Sequence, residues 1–137
     1  MESLKRVLVE SPFKGENGSI TKRNILYARL CVVNSLSRDE APFASHLFYT
    51  QTGILNDKIS KERIKGLRAG LKWAESAELS AFYIDFGYSE GMIYGKKDAI
   101  ENQRPIEERS LGTKEEVLRM IEELSKEEQF NQTGILF

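Results

Sequence analysis

The chain has 137 residues, enough for one domain with a buried core and too few for two, so any function sits on one fold or between copies of it. Its 20 Lys and Arg against 21 Asp and Glu leave a net charge of -1, and no basic stretch interleaves with aromatics, which excludes nucleic acid as a main partner. A single cysteine, Cys31, excludes an internal disulfide and reads as a core residue. The apolar run in MESLKRVLVESPF is too short for a signal peptide or membrane span, so the expectation is a cytoplasmic protein with no membrane partner.

In chain order, Arg6 to Glu10 (RVLVE) is short and β-branched and predicts a strand, followed by the turn-rich SPFKGENGS. A helix follows from about Thr21 to Leu36. Leu26, Leu30 and Val33 should form its apolar stripe, widened by Ile25, Val32 and Leu36. Ala41 to Ser45 predicts a second strand, and HLFYTQTGILNDK after it has no helical period and reads as a long functional loop.

Ser60 then caps a helix whose face carries Ile64, Leu67, Leu71 and Ala74. Leu79 to Phe86 (LSAFYIDF) is apolar almost throughout, as a strand buried on both faces should be. Ser89 caps a helix to about Glu101, and Pro105 to Arg109 predicts a last strand. Thr113 with Glu116 forms a capping box for a helix carrying Val117, Ile121 and Leu124. This βαβαβαβα alternation predicts an α/β, single-domain Rossmann-like (flavodoxin-like) parallel sheet with helices on both faces and ligands beyond its carboxyl edge. The domain is expected over 1–126, with 127–137 a C-terminal tail in an oligomer interface. QTGIL occurs at Gln51 to Leu55 and again at Gln132 to Leu136, too short for an architectural repeat.

Two loops carry the candidate chemistry. Ser11, Phe13, Lys14 and Gly15 offer a hydroxyl, an aromatic face, a cation and a flexible backbone after the first strand, which suits an anion or simply a solvated turn. Ser89, Glu90, Gly91 and Met92 open a helix after the buried strand, where unpaired N–H groups and the helix dipole favour an anion. Ser89 is also an ordinary N-cap. Asn24 and Tyr27 share a face of the first helix near the first loop, and Tyr27 reads equally as a packing residue. His46, with Tyr49 close by, suits ring stacking or a hydrogen bond to a ligand. A lone histidine is a poor metal site, so neither metal nor cofactor is expected. No Ser-His-Asp arrangement is visible.

The segments ESPFKG, N-x-x-Y-A-R, APFASHLFYTQ, ERIKGLRAGLKW, DFGYSEGM and PIEERSLG, in this order over roughly residues 5–111, resemble the nucleoside 2-deoxyribosyltransferase-like superfamily. More closely, the chain is similar to a small branch common in bacteria and their phages. The resemblance implies a homodimer or higher homo-oligomer and cleavage or exchange of the N-glycosidic bond of deoxynucleosides or their 5′-monophosphates. In that chemistry a glutamate attacks the anomeric carbon, an aspartate handles protons and a tyrosine orients the glutamate.

By position, Ser11 to Gly15 match the phosphate loop, Ser89 with Gly91 the second phosphate contact, and Tyr27 the tyrosine. Gly70 stands where the aspartate belongs and Gly95 where the glutamate belongs. The nearest substitutes the pattern offers are Asp85 and Glu90, and Glu90 lies more than a helical turn early. The expectation is therefore a binding protein that senses or sequesters a nucleotide-like or ribose-phosphate molecule, such as a phage protein sequestering a host immune signalling nucleotide. The alternatives are an N-glycosidase or deoxyribosyltransferase using Glu90 or Asp85, and a pure interaction scaffold.

Overall fold

The computed structural model describes residues 3–133. Its elements are β1 (Lys5–Glu10), α1 (Gly18–Ser37), β2 (Glu40–Phe43), α2 (Ser45–Tyr49), α3 (Ser60–Ala74), β3 (Leu79–Tyr83), α4 (Glu90–Glu101), β4 (Ile106–Arg109) and α5 (Lys114–Thr133). The fold is α/β with a four-stranded, all-parallel sheet in the order β2-β1-β3-β4, as the alternation predicts. The chain steps from β1 to β2 in one direction and from β2 past β1 to β3 and β4 in the other. Right-handed crossovers then put α1 on one face of the sheet and α3 and α4 on the opposite one. Helix α5 packs beside α1.

The two central strands carry the core. Val7 and Val9 on β1 and Ala81 and Tyr83 on β3 meet Leu26, Tyr27 and Cys31 of α1 and Val117 and Ile121 of α5. In α1 the buried positions are Asn24, Leu26, Tyr27, Ala28, Cys31 and Ser35. The expected stripe is therefore rotated, and Val33 and Leu36 lie on the surface at 59% and 56% exposure. Two polar residues inside the true stripe cause the rotation, and both are satisfied from outside the helix. Asn24 Nδ2 donates to the Phe13 carbonyl at 3.0 Å, and Ser35 Oγ donates to Glu40 Oε1 at 2.7 Å.

Other boundaries also differ. Asn17 caps α1 by accepting from the Ile20 N–H at 3.0 Å, so the helix begins before Thr21. β3 stops at Tyr83 because Asp85 and Phe86 turn toward a Gly87 at φ +77°, a conformation that favours glycine. Ser45–Tyr49 is a short helix rather than loop, and α3 buries only Gly70 and Ala74, leaving Ile64 and Leu67 exposed. The Thr113–Glu116 capping box forms in both directions, at 2.9 and 3.2 Å. α5 continues through 133, so the first residues of the expected tail are helical. The second QTGIL copy falls largely outside the described residues, as do Ile135, Leu136 and Phe137.

Candidate functional site

The change of direction between β1→β2 and β2→β3 makes the gap between β1 and β3 the switch point of the sheet. Loops leaving two neighbouring parallel strands diverge there, which opens a crevice at the carboxyl edge. The loop after β1 is pinned at three points. Ser11 Oγ and His46 Nε2 lie 2.9 Å apart, the Phe13 carbonyl accepts from Asn24, and the Gly15 N–H donates to Thr21 Oγ1 at 3.0 Å. The Gly15 N–H expected to face an anion is thus already engaged. Lys14 is exposed and has no ion pair among the described residues.

His46, on α2, contacts Ser11 and also stands edge-on to Phe13, with ring centroids 6.1 Å apart. Burial pushes its pKa down to about 4, which keeps the ring neutral. A Ser–His pair is therefore present that the sequence pattern does not show. Its imidazole is too weak a base near neutral pH to activate the hydroxyl, and no carboxylate among the described residues is hydrogen-bonded to its second nitrogen. His46 instead holds Ser11 in place. Tyr49 turns away to Phe48, 5.1 Å between centroids, and to the Gly66 side of α3.

The loop after β3 is anchored by Asp85. Its Oδ2 accepts from Tyr27 OH at 2.5 Å, its Oδ1 from Ser110 Oγ at 2.6 Å, and both oxygens lie 3.1 Å from the Leu111 N–H. Tyr27 OH in turn accepts from the Asp85 N–H at 3.0 Å. Tyr27 is fully buried, and burial drives its phenol pKa far up. Both residues hold the crevice walls together and have little capacity left for a ligand. The second loop also meets α1, the helix to which the first loop is tied through Asn24. Arg23, held on Asn24 Oδ1 at 3.0 Å, stacks 4.0 Å from the centre of the Phe86 ring, which lies edge-on to Tyr27. Neither Arg23 nor Phe86 is marked by the sequence pattern.

Ser89 caps α4 through its Oγ, which accepts from the Met92 N–H at 3.2 Å. The Glu90 and Gly91 N–H groups belong to the first turn and have no acceptor within the helix. Glu90 is exposed. Met92 is buried, with its sulfur 3.5 Å from the Ser89 N–H, and is a core residue of the cap.

Both glycines that replace the expected carboxylates are close-approach positions. A Cβ at Gly70 would lie 2.7 Å from Ser45 Oγ, so bare backbone lets α2 dock there. At Gly95 a Cβ would overlap Glu10 Oε2 and come within 2.7 Å of its Cδ. The last residue of β1 thus places a carboxyl in the space vacated on α4. Among the described residues nothing hydrogen-bonds to that carboxyl, yet no fully buried side-chain N or O lacks a partner, so its oxygens must touch the accessible surface. Removal from water pushes its pKa up to about 8. Arg104 lowers it and Asp98 raises it. Sequence reasoning treats Glu10 as a strand end. A glycine inside a helix, which costs roughly 1 kcal/mol against alanine, is the signal that a neighbour needs the space.

Two surface grooves lie elsewhere. One of about 170 Å³ runs between α1 and α5, lined by Lys22, Ile25, Arg29 and Glu128, and another of about 300 Å³ separates α3 from α4 near Arg68 and Asp98. They are at or below the lower end of ligand-site volumes and hold none of the pinned loops. No helix is long and apolar enough to cross a membrane, and no group of three metal-ligating side chains occurs among the described residues. No curated protein matches the chain. Residues 5–109 match the family described as a domain of unknown function (DUF7768), and the chain belongs to that family.

Proposed function

We propose that this protein binds a nucleotide-like or ribose-phosphate small molecule at the carboxyl edge between β1 and β3, and senses or sequesters it. The observation that carries the reading is the bridging of the two switch-point loops by α1, where Arg23 stacks 4.0 Å from the centre of the Phe86 ring and Asn24 holds the Phe13 carbonyl, with Tyr27 and Asp85 behind them. A crevice held this rigidly spends little of its binding energy on ordering. Its polar lining suits an anion: Lys14 and Arg23 supply charge, and the first turn of α4 supplies N–H donors.

Ser89→Asp tests the phosphate side of this reading. Aspartate caps a helix as well as serine does, so the fold should persist while its charge opposes the anion. Calorimetry should show ribose 5-phosphate binding weakened at least about tenfold, roughly 1.4 kcal/mol. Binding by Ser89→Asp equal to that of the unmodified chain would remove α4 from the site.

The enzymatic alternative is favoured by one feature, the Glu10 carboxyl over Gly95, which puts an acid near the crevice where the sequence pattern shows none. Glu10, rather than Asp85 or Glu90, would then carry the chemistry of an N-glycosidase or deoxyribosyltransferase. Mass spectrometry of small molecules released from the purified protein separates the readings: intact nucleotide for a binder, free base with sugar phosphate for a glycosidase, and neither for a scaffold.

Self-association belongs to the same proposal. Ile64, Leu67 and Trp73 on α3 and Ile93 and Ile100 on α4 are exposed, an apolar display that pairing would cover. Light scattering at micromolar protein should give at least a dimer mass, and a monomer mass would refute it.

A further inference from the structure

Glu10 closes β1 with its side chain on the α4 side of the sheet. Its neighbours Val9 and Ser11 are buried on the other side, and its register partner on β3 is Phe82. The layer around it is apolar or already paired. β3 presents Phe82 and Ser80, and α4 presents Gly95 and Asp98. The turn before β4 presents Arg104, whose guanidinium is committed to Asp98 Oδ2 at 2.6 Å, Ser80 Oγ at 2.8 Å and the Ala74 carbonyl at 3.0 Å. The charges facing Glu10 are thus one cation and one anion that already neutralise each other. A carboxyl so placed, without a hydrogen-bond partner and open only at its tip, keeps its proton.

We propose that Glu10 is a ligand-contacting residue of the β1/β3 crevice that engages the bound sugar phosphate as a neutral carboxylic acid, so that binding is coupled to retention of its proton. This rests on the ligand class proposed above and adds an uncharged donor and acceptor in addition to the Lys14 cation. Ser11 Oγ and the Gly15 N–H are already bonded within the protein, whereas a neutral carboxyl offers one O–H to a ribose hydroxyl or phosphate oxygen and one C=O to a hydroxyl. The ionised form would donate nothing and would set a negative charge beside the phosphate. Gly95 is required by the same arrangement, since any side chain there would displace the carboxyl.

The test is calorimetry of the full chain with ribose 5-phosphate at pH 7 and pH 9, where the phosphate is a dianion throughout. With a Glu10 pKa of about 8, proton-coupled binding should weaken about tenfold between these values, and Glu10→Gln should bind with no such drop. An equal drop in Glu10→Gln, or none in the unmodified chain, overturns the role of Glu10 while leaving the binding reading intact. No binding at either pH overturns both. Should Glu10→Gln fail to fold, a carbon-13 NMR titration of the Glu10 carboxyl in the unmodified protein decides independently. A midpoint above 7 that rises further with saturating ribose 5-phosphate supports the coupling, and a midpoint in the ordinary carboxylate range ends it.

Discussion

Replacing Arg109 by alanine should cost the fold about 3–5 kcal/mol, the typical penalty for stranding one partner of a buried ion pair. The Arg109 side chain is 2% exposed and binds Glu40 through two nitrogens, each 2.8 Å from its own carboxylate oxygen. Its Nε donates to Glu107 at 2.9 Å and Nη1 also to Tyr83 OH at 3.1 Å, while Tyr83 OH donates to Asn34 at 2.8 Å. Alanine would leave the largely buried Glu40 with only Ser35 and leave the Tyr83 oxygen without its donor.

Hydrogen bonds from Arg109 hold the Glu40 carboxyl below its usual pKa. The stability it contributes is therefore present above the unfolded carboxylate pKa and lost as pH falls through the lower folded value. Urea denaturation at pH 7 checks the magnitude, and a loss below about 1 kcal/mol would refute the account. The double variant Arg109→Met with Glu40→Leu should recover much of the loss, because the desolvation of two charges disappears with them. The consequence extends to the crevice. Ser110 and Leu111, which follow Arg109 directly, hold Asp85, so loosening the end of β4 releases the loop after β3.

The parallel α/β alternation and the two crevice loops follow from features legible in the chain. The two central strands are short β-branched or apolar runs followed by Pro12 and Gly87, and each crossover segment is long enough for a helix. What escaped depends on long-range satisfaction. Asn24 reads as a ligand contact and Ser35 falls outside the expected apolar stripe, because nothing local tells that the Phe13 carbonyl and Glu40 wait for them. Ser45–Tyr49 escaped because five residues are too few to show a helical period. Among the expected ligand residues, Asn24, Tyr27 and Asp85 do gather at the crevice, but as its framework. Glu10 has the opposite history. Its chemistry depends on one unfilled position on α4, 85 residues further on, and periodicity within β1 cannot report that.

Stability should fall as pH rises from 6.5 to 8, by about 2 kcal/mol, and Glu10→Gln should abolish the fall. The folded Glu10 carboxyl has its pKa pushed up to about 8 from an ordinary 4.5. Between these values the folded state keeps a proton that the unfolded chain has released, so stability is full below 4.5 and lost as pH rises through 8. His46 runs the other way. Its folded pKa of about 4 lies below the ordinary 6.5, so its contribution is full above 6.5 and lost as pH falls through 4. From 4.5 to 6.5 the two slopes oppose and the profile should be nearly flat; above 6.5 only Glu10 acts, at about 1.4 kcal/mol per pH unit. Urea midpoints at pH 5, 6.5 and 8 trace this profile, and His46→Gln should leave the high-pH limb untouched. A protein that pays stability above neutrality for one carboxyl gains nothing in packing from it, because glutamine would fill the same volume without the charge. If Glu10→Gln leaves the high-pH limb as steep as before, the carboxyl is already ionised at neutral pH and the donor role assigned to it fails.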